Sequence, residues 1–168
     1  MANRLFLLRG IPASGKSTWI NASGLDEHCV VSSDEIRIAI HGIVTDENGR
    51  QQISQENPKL VWDTIKARIE MLMKNGEPNI VLDATNIKQR DMRNYTQYLD
   101  EYGYDGYVVD FTDVPEDECI RRNANRDEYR QVPELVIHRM YETLRQQPQV
   151  PNEYTLVTRD EALDMLHH

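Results

Sequence analysis

The sequence predicts an α/β fold: a central parallel sheet flanked by helices. Two observations predict it. Short apolar runs of strand length alternate with segments of helical spacing. The first run also leads straight into a glycine-rich turn that opens a helix. Such alternation implies right-handed crossovers and a sheet covered on both faces. Ligands then collect at the carboxyl ends of the strands. The first three runs end in Gly10, Asp34 and Asp83, three residues with chemical character.

The elements follow in order. Leu5–Leu8 is a buried strand, and Lys16–Ile20 begins a helix. Cys29–Val31 is the second strand, read as ending in Ser32-Ser33-Asp34. Residues 42–54, rich in Asp, Asn, Gly and Gln, read as a surface loop, either a solvated connector or a wall over the substrate. Asn57–Lys74 carries Val61, Ile65, Ile69 and Leu72 on one helix face, closed by Gly76 and Pro78. Ile80–Leu82 is the third strand, Lys88–Tyr102 reads as one helix ended by Gly103, and Tyr107–Phe111 is the fourth strand. Pro115 and Pro133 open two further helices, the second running to about Gln146. A fifth strand is expected at Tyr154–Val157, with a short helix from Asp160.

At 168 residues the chain suits one domain, residues 1–168, and 39% hydrophobic with 28% charged residues supports one core. No apolar run approaches a membrane span, and the opening run is too short for a signal peptide, so a cytoplasmic protein without a membrane partner is expected. Cys29 and Cys119 read as core residues rather than as a disulfide or metal pair. His167 and His168 carry no part of the reading. The formal net charge of −9 disfavours non-specific nucleic-acid binding, yet leaves room for one strand end held in a small basic pocket.

Gly10-Ile11-Pro12-Ala13-Ser14-Gly15-Lys16-Ser17 fits G-x-x-x-x-G-K-[ST] at every fixed position, between a strand and a helix. Gly10 and Gly15 let the backbone curl its N–H groups inward around phosphate oxygens, with Ala13, Ser14 and Thr18 in the same turn. The helix presents its positive end to the same anion. Lys16 supplies a cation for the outer phosphates of a nucleoside triphosphate, and Ser17 a hydroxyl ligand for Mg²⁺. Asp34 is placed to accept the proton of an acceptor hydroxyl, and Arg37, three residues on, shares its face if the segment is helical. The competing reading is a helix cap with a local ion pair. Asp83 ends the third strand and is a candidate Mg²⁺ contact, directly or through water; the plain reading of Asp83 to Asn86 is a turn. Arg121, Arg122, Arg126, Arg130, Arg139 and Arg145 concentrate positive charge in one stretch of an acidic chain. Arg122 and Arg126 are spaced for one helix face.

These residues together resemble the polynucleotide 5′-hydroxyl kinases of phage and bacterial nucleic-acid repair. The resemblance rests on the cradle from Gly10 to Trp19, on the D-x-x-R of Asp34 and Arg37, and on Asp83-Ala84-Thr85-Asn86. It continues through Asp113-Val114-Pro115, Arg122-Asn123, Arg126, Val132-Pro133 and Met140-Tyr141. It covers roughly residues 4–146, and the D-x-x-R with the later stretch is its specific part. It implies a P-loop kinase fold with a helical lid at about residues 115–146, leaving 152–168 unassigned. It implies that Asp34 is the general base on the 5′-hydroxyl, that Arg37 grips the 3′-phosphate of the terminal nucleotide, and that Arg126, with Arg122, meets the donor phosphates. Thr85 and Asn86 are expected on the acceptor side. The implied partners are ATP or another NTP and the 5′-hydroxyl end of DNA or RNA. The family often forms homo-oligomers, and the sequence selects no state. The D-x-D-x-T motif of a 3′-phosphatase domain is missing from the sequence, so kinase activity alone is expected. Two other readings stay open: a small-molecule kinase acting on a nucleoside, sugar or antibiotic, and a nucleotide-dependent switch ATPase.

Overall fold

The computed structural model describes residues 2–167. Its sheet has five strands in the order β2-β5-β1-β6-β7, and all four pairings are parallel. These strands are β1 (Asn3–Arg9), β2 (Val30–Ser32), β5 (Asn79–Asp83), β6 (Tyr104–Asp110) and β7 (Tyr154–Val157). Two short strands outside this sheet, β3 (Ile43–Thr45) and β4 (Gln51–Ile53), pair antiparallel. The helices are α1 (Lys16–Ser23), α2 (Ser33–His41), α3 (Pro58–Lys74), α4 (Gln89–Arg93), α5 (Thr96–Tyr102), α6 (Glu116–Asn123), α7 (Glu134–Gln146) and α8 (Arg159–His167). Among the described residues, no helix is long and apolar enough to cross a membrane.

Central β1 shows why both faces are covered. Leu5, Phe6, Leu7 and Leu8 are all fully buried, and successive side chains point to opposite faces. Leu5 and Leu7 join Val61, Ile65 and Ile69 of α3 in one core. Phe6 and Leu8 join Trp19 of α1 and Ala162 of α8 in the other. A third, smaller cluster unites Ile11 and Ile87 with Cys119 of α6 and Ile137 and Leu144 of α7. The segment expected as a lid is therefore packed over the carboxyl end of the sheet on apolar contacts of its own.

Several expectations are corrected. Residues 42–54 are a β-hairpin rather than a loop. Asp46 Oδ1 accepts from the N–H groups of Asn48 and Arg50 at 2.9 Å each, and Gly49 takes φ +78°, which closes the turn. The stretch 88–102 is two helices, because the chain turns at Asn94-Tyr95 to bury Tyr95 completely. Strand β2 stops at Ser32, whose hydroxyl accepts from Glu35 N–H as the cap of α2, so Asp34 lies in the first helical turn and is not the cap. Helix α6 ends at Asn123, so Arg126 lies in the following turn and does not share a helix face with Arg122. The unassigned residues 152–168 supply β7 and α8, and the Trp19 indole N–H donates to Arg159 O at 3.0 Å to tie α8 to α1.

Candidate active site

The cradle joins β1 to α1. Ala13 at φ +64° and Gly15 at φ +104° turn the backbone into a concave nest ahead of the α1 N-terminus. A left-handed alanine is strained, as functional turns often are. Gly10 is needed for a different reason from the one expected. A Cβ there would lie 2.6 Å from Ser14 Oγ and 2.7 Å from Phe111 Cβ, so it is close packing that demands glycine. Ser14 Oγ is buried and has no hydrogen-bond partner among the described residues. Ser17 and Thr18 are exposed at the helix start. Lys16 Nζ donates to Gly10 O at 2.7 Å and Ile11 O at 3.0 Å, curling back over the nest.

Four charged residues converge here from four parts of the chain. Burial pushes the Lys16 ammonium down to about 8, opposed by the charges of Asp83 and Asp34 and reinforced by Arg126. Burial pushes the Asp83 carboxyl up, opposed by Lys16, Arg126 and Arg130 and assisted by Asp34. Burial lowers the Arg126 guanidinium, while Asp34 and Asp83 oppose the shift. Lys16, Asp34, Asp83 and Arg126 thus share one field at the carboxyl ends of β1, β2 and β5. Three charged groups shifted by burial beside one another, at Lys16, Asp83 and Arg126, are a marker of a functional site.

Next to this cluster, Arg37 Nη1 lies 3.5 Å from Asp34 Oδ1. The Arg37 side chain is 15% exposed, and its guanidinium sits 5.6 Å from the centroid of the Trp62 ring on α3. The spacing read from the sequence is met, because α2 is helical at both residues. Trp62 was not foreseen; its place in the α3 face marks it as a packing residue. Arg130 is held by Glu35 at 2.9 Å and stacks 5.2 Å from the Tyr129 ring. This pair ties the turn after α6 to α2.

The arginine cluster divides. Arg126 and Arg130 face the site, whereas Arg121 pairs with Glu118 at 3.6 Å, Arg145 with Glu142 at 3.9 Å, and Arg139 is exposed. Arg122 pairs with Glu118 at 2.8 Å, yet its Nη1 would lie 3.7 Å from a Cβ placed on Gly15, so it reaches the rim of the nest. Buried Asn123 clamps the turn that carries Arg126 and Arg130. Its Nδ2 donates to Val132 O at 2.8 Å, and its Oδ1 accepts from Val132 N–H at 2.9 Å. The hairpin leans on the same turn through Arg50 and Gln131 at 2.8 Å. A cavity of about 260 Å³ between hairpin and turn, lined by Arg50, Gln51, Asn123 and Glu128, includes none of the convergent charges.

Beside the cradle, the half-buried Thr85 gives its carbonyl to Gly10 N–H at 3.1 Å. Asn86 is a correction. It is 4% exposed, and its Nδ2 donates to Leu8 O at 2.7 Å, so its amide is committed to β1 rather than offered to an acceptor. The sequence reading also missed Arg9, which is 2% exposed. Its guanidinium donates to Asn86 O at 3.1 Å, Ile87 O at 2.6 Å and Pro148 O at 3.1 Å, and also to Gln147 O. It joins the end of β1 to the end of α7. A charge at a strand's end next to a glycine turn gives no signal of such burial.

Comparison with known proteins bears on the fold. None of the curated proteins matches the sequence. Among solved structures, a chain of the Pnkp1/Rnl/Hen1 RNA repair complex superposes at TM-score 0.67 with 24% identity, over 88% of this chain and 45% of that one. A second Pnkp1/Rnl/Hen1 structure matches at 28% identity and TM-score 0.56, over 72% of this chain and 39% of that one. The present chain thus spans less than half the length of either. A sugar kinase from Janibacter sp. matches at TM-score 0.57 and 16% identity, over 98% of this chain and 90% of that one. The profile of the AAA domain family matches residues 5–151, nearly the whole chain, so the protein belongs to that family and has the fold of a P-loop kinase domain.

Proposed function

We propose that this kinase domain is a polynucleotide 5′-hydroxyl kinase of nucleic-acid repair, moving the γ-phosphate of ATP or another NTP onto the 5′-hydroxyl end of DNA or RNA. The observation that carries the reading is Arg37. It is mostly buried, 3.5 Å from Asp34 and beside the Trp62 ring. A fixed guanidinium beside the candidate base suits an acceptor that carries its own phosphate, by a two-pronged contact.

In this reading the nest and Lys16 hold the donor phosphates, which are stronger partners for the ammonium than the carbonyls of Gly10 and Ile11. The donor oxygens of Ser17 and Asp83 suit Mg²⁺, and the unpartnered Ser14 hydroxyl fits a polar group in the cradle. Mg²⁺, when bound, would spread the negative charge of the outer phosphates. Asp34 accepts the proton of the 5′-hydroxyl as that oxygen bonds to the γ-phosphorus. The bond from the γ-phosphorus to its bridging oxygen breaks, and the diphosphate leaves. Arg126, with Arg122 at the rim, meets the charge on the transferred group.

The net charge of −9 favours a second reading, a small neutral acceptor. An acceptor panel at two salt concentrations separates the two. With γ-labelled ATP, label should pass to oligonucleotides with a 5′-hydroxyl and weaken as salt rises. Transfer to sugars or nucleosides alone, indifferent to salt, would replace this reading with the second.

A further inference from the structure

A second constellation lies at the opposite end of the sheet, and the phosphoryl-transfer reading makes no use of it. His28 and Cys29 sit in a 3-10 turn just ahead of β2, and Glu77 just ahead of β5. Asp83 is at the other end of β5, a five-residue strand away. Cys29 Sγ is 3.4 Å from His28 Nε2 and 3.4 Å from Glu77 Oε2, and His28 Nε2 is 3.0 Å from Glu77 Oε1. One nitrogen, one sulfur and one oxygen donor therefore lie within 4.8 Å of one another.

We propose that His28, Cys29 and Glu77 bind a zinc-class divalent ion that clips the start of β2 to the start of β5. Three observations carry it. Zinc–ligand bonds of about 2.0–2.3 Å in a tetrahedron put neighbouring donors roughly 3.3–3.6 Å apart, close to the separations found. The donor set is imidazole, thiol and carboxylate, and with the thiol ionised its two negative charges balance a dication. Finally, the backbone under the donors is fixed. Cys29 N–H donates to Asp26 O at 3.0 Å, Glu77 N–H to Leu72 O at 3.1 Å, and Tyr104 Oη to Glu77 O at 2.6 Å. Donors on pinned backbone need little rearrangement to close on an ion.

The three residues also differ in exposure in a way that suits entry of an ion. Cys29 is 6% exposed, whereas the side chains of Glu77 and His28 are 27% and 57% exposed. Three protein donors would leave a fourth position for water, as in other three-ligand zinc sites. The clip would act where the sheet is thinnest. Strand β2 is three residues long, lies at the sheet edge and, among the described residues, pairs only with β5. Cys119, by contrast, is fully buried in the third core cluster and stays a packing residue.

The test is titration of the chelator-treated, reduced full chain with Co²⁺, read in the thiolate-to-cobalt charge-transfer band, followed by displacement with Zn²⁺ and thermal melting. Saturation at one equivalent is expected, with the band erased by Zn²⁺ and the melting point raised. Cys29→Ser should lose the band and the thermal gain while melting like the metal-free wild type. Glu77→Gln should weaken binding by more than the ~10–100-fold that loss of a supporting group costs. No thiolate band in the wild type under excess Co²⁺ would overturn the proposal. Binding unchanged in both variants would do so equally, by moving the metal elsewhere on the chain. Phosphoryl transfer enters none of these readouts, so the site stands or falls apart from the kinase reading.

Discussion

The donor side and the acceptor side proposed for the site are built in opposite ways. The donor side is eight contiguous residues, Gly10–Ser17, shaped by backbone torsions and by one close contact under Gly10. The proposed acceptor side draws on side chains from separate segments, with a neighbouring turn pinned to α2. Asp34 and Arg37 come from α2, Trp62 from α3, and Arg130 from the turn clamped by Asn123. A backbone cradle binds any nucleotide phosphate and tolerates little change. A side-chain platform sets which acceptor is taken and yields to substitution by degrees. Single changes on the two sides should therefore differ in kind as well as in size.

The largest effect is expected at Lys16. Lys16→Ala should cut transfer by about 10³-fold, through lost charge stabilisation, without lowering the melting point. The ammonium also provides a pH test. In the unliganded protein it is held down to about 8, against 10.5 in an unfolded chain. Between those values the unfolded chain binds the extra proton, so stability of the unliganded protein should rise with pH across that window. Bound phosphate restores the charge, so nucleotide binding near pH 8.5 should take up a proton. Calorimetry in buffers of different ionisation heat measures it, and Lys16→Ala should show no uptake.

Gly10→Ala comes next, and it tests the contact rather than the charge. A Cβ 2.6 Å from Ser14 Oγ and 2.7 Å from Phe111 Cβ must displace one of them. Destabilisation of about 1–3 kcal/mol is expected in denaturant melts, together with weaker nucleotide binding. Wild-type stability would mean that the cradle yields to the added methyl group.

Changes on the acceptor side should be smaller and selective. Arg37→Ala should raise the acceptor KM about 10–100-fold, the equivalent of one charged hydrogen-bonded contact, and only for acceptors with a 3′-phosphate on the first nucleotide. Equal losses with and without that phosphate would remove Arg37 from its role. Trp62→Leu should cost about 2–5-fold in the same KM and nothing in nucleotide binding, with Trp62→Phe restoring most of it. The least is expected of Glu35→Gln. Its pair with Arg130 is partly exposed and contributes at most about 1 kcal/mol, so the turn should loosen only slightly.

The same contrast explains what the sequence disclosed. A contiguous motif is legible because its chemistry and its spacing are one fact, and D-x-x-R is legible because α2 is helical. The apolar faces of α3 and β1 follow from period alone. Arg9, Asn86 and Trp62 were missed or misread because their roles depend on partners 25 to 139 positions away, at Leu8, Pro148 and Arg37. The hairpin escaped because three-residue strands are too short to show alternation, and Asp46 and Gly49 read as loop chemistry. The break at Asn94-Tyr95 escaped because no glycine or proline marks it; the burial of Tyr95 imposes it. Arg126 left its expected helix face because α6 ends at Asn123, whose side chain is spent on the clamp to Val132.

The central claim is that Asp34 takes the proton of a nucleic-acid 5′-hydroxyl. Single-turnover transfer of γ-labelled phosphate to a 5′-hydroxyl oligonucleotide, comparing wild type with Asp34→Ala at saturating ATP, tests it most directly. A rate lower by about 10²–10⁴-fold with ATP affinity unchanged is predicted. A near-normal rate in the variant, or labelled ATP consumed by the wild type with no label on DNA or RNA, would contradict it.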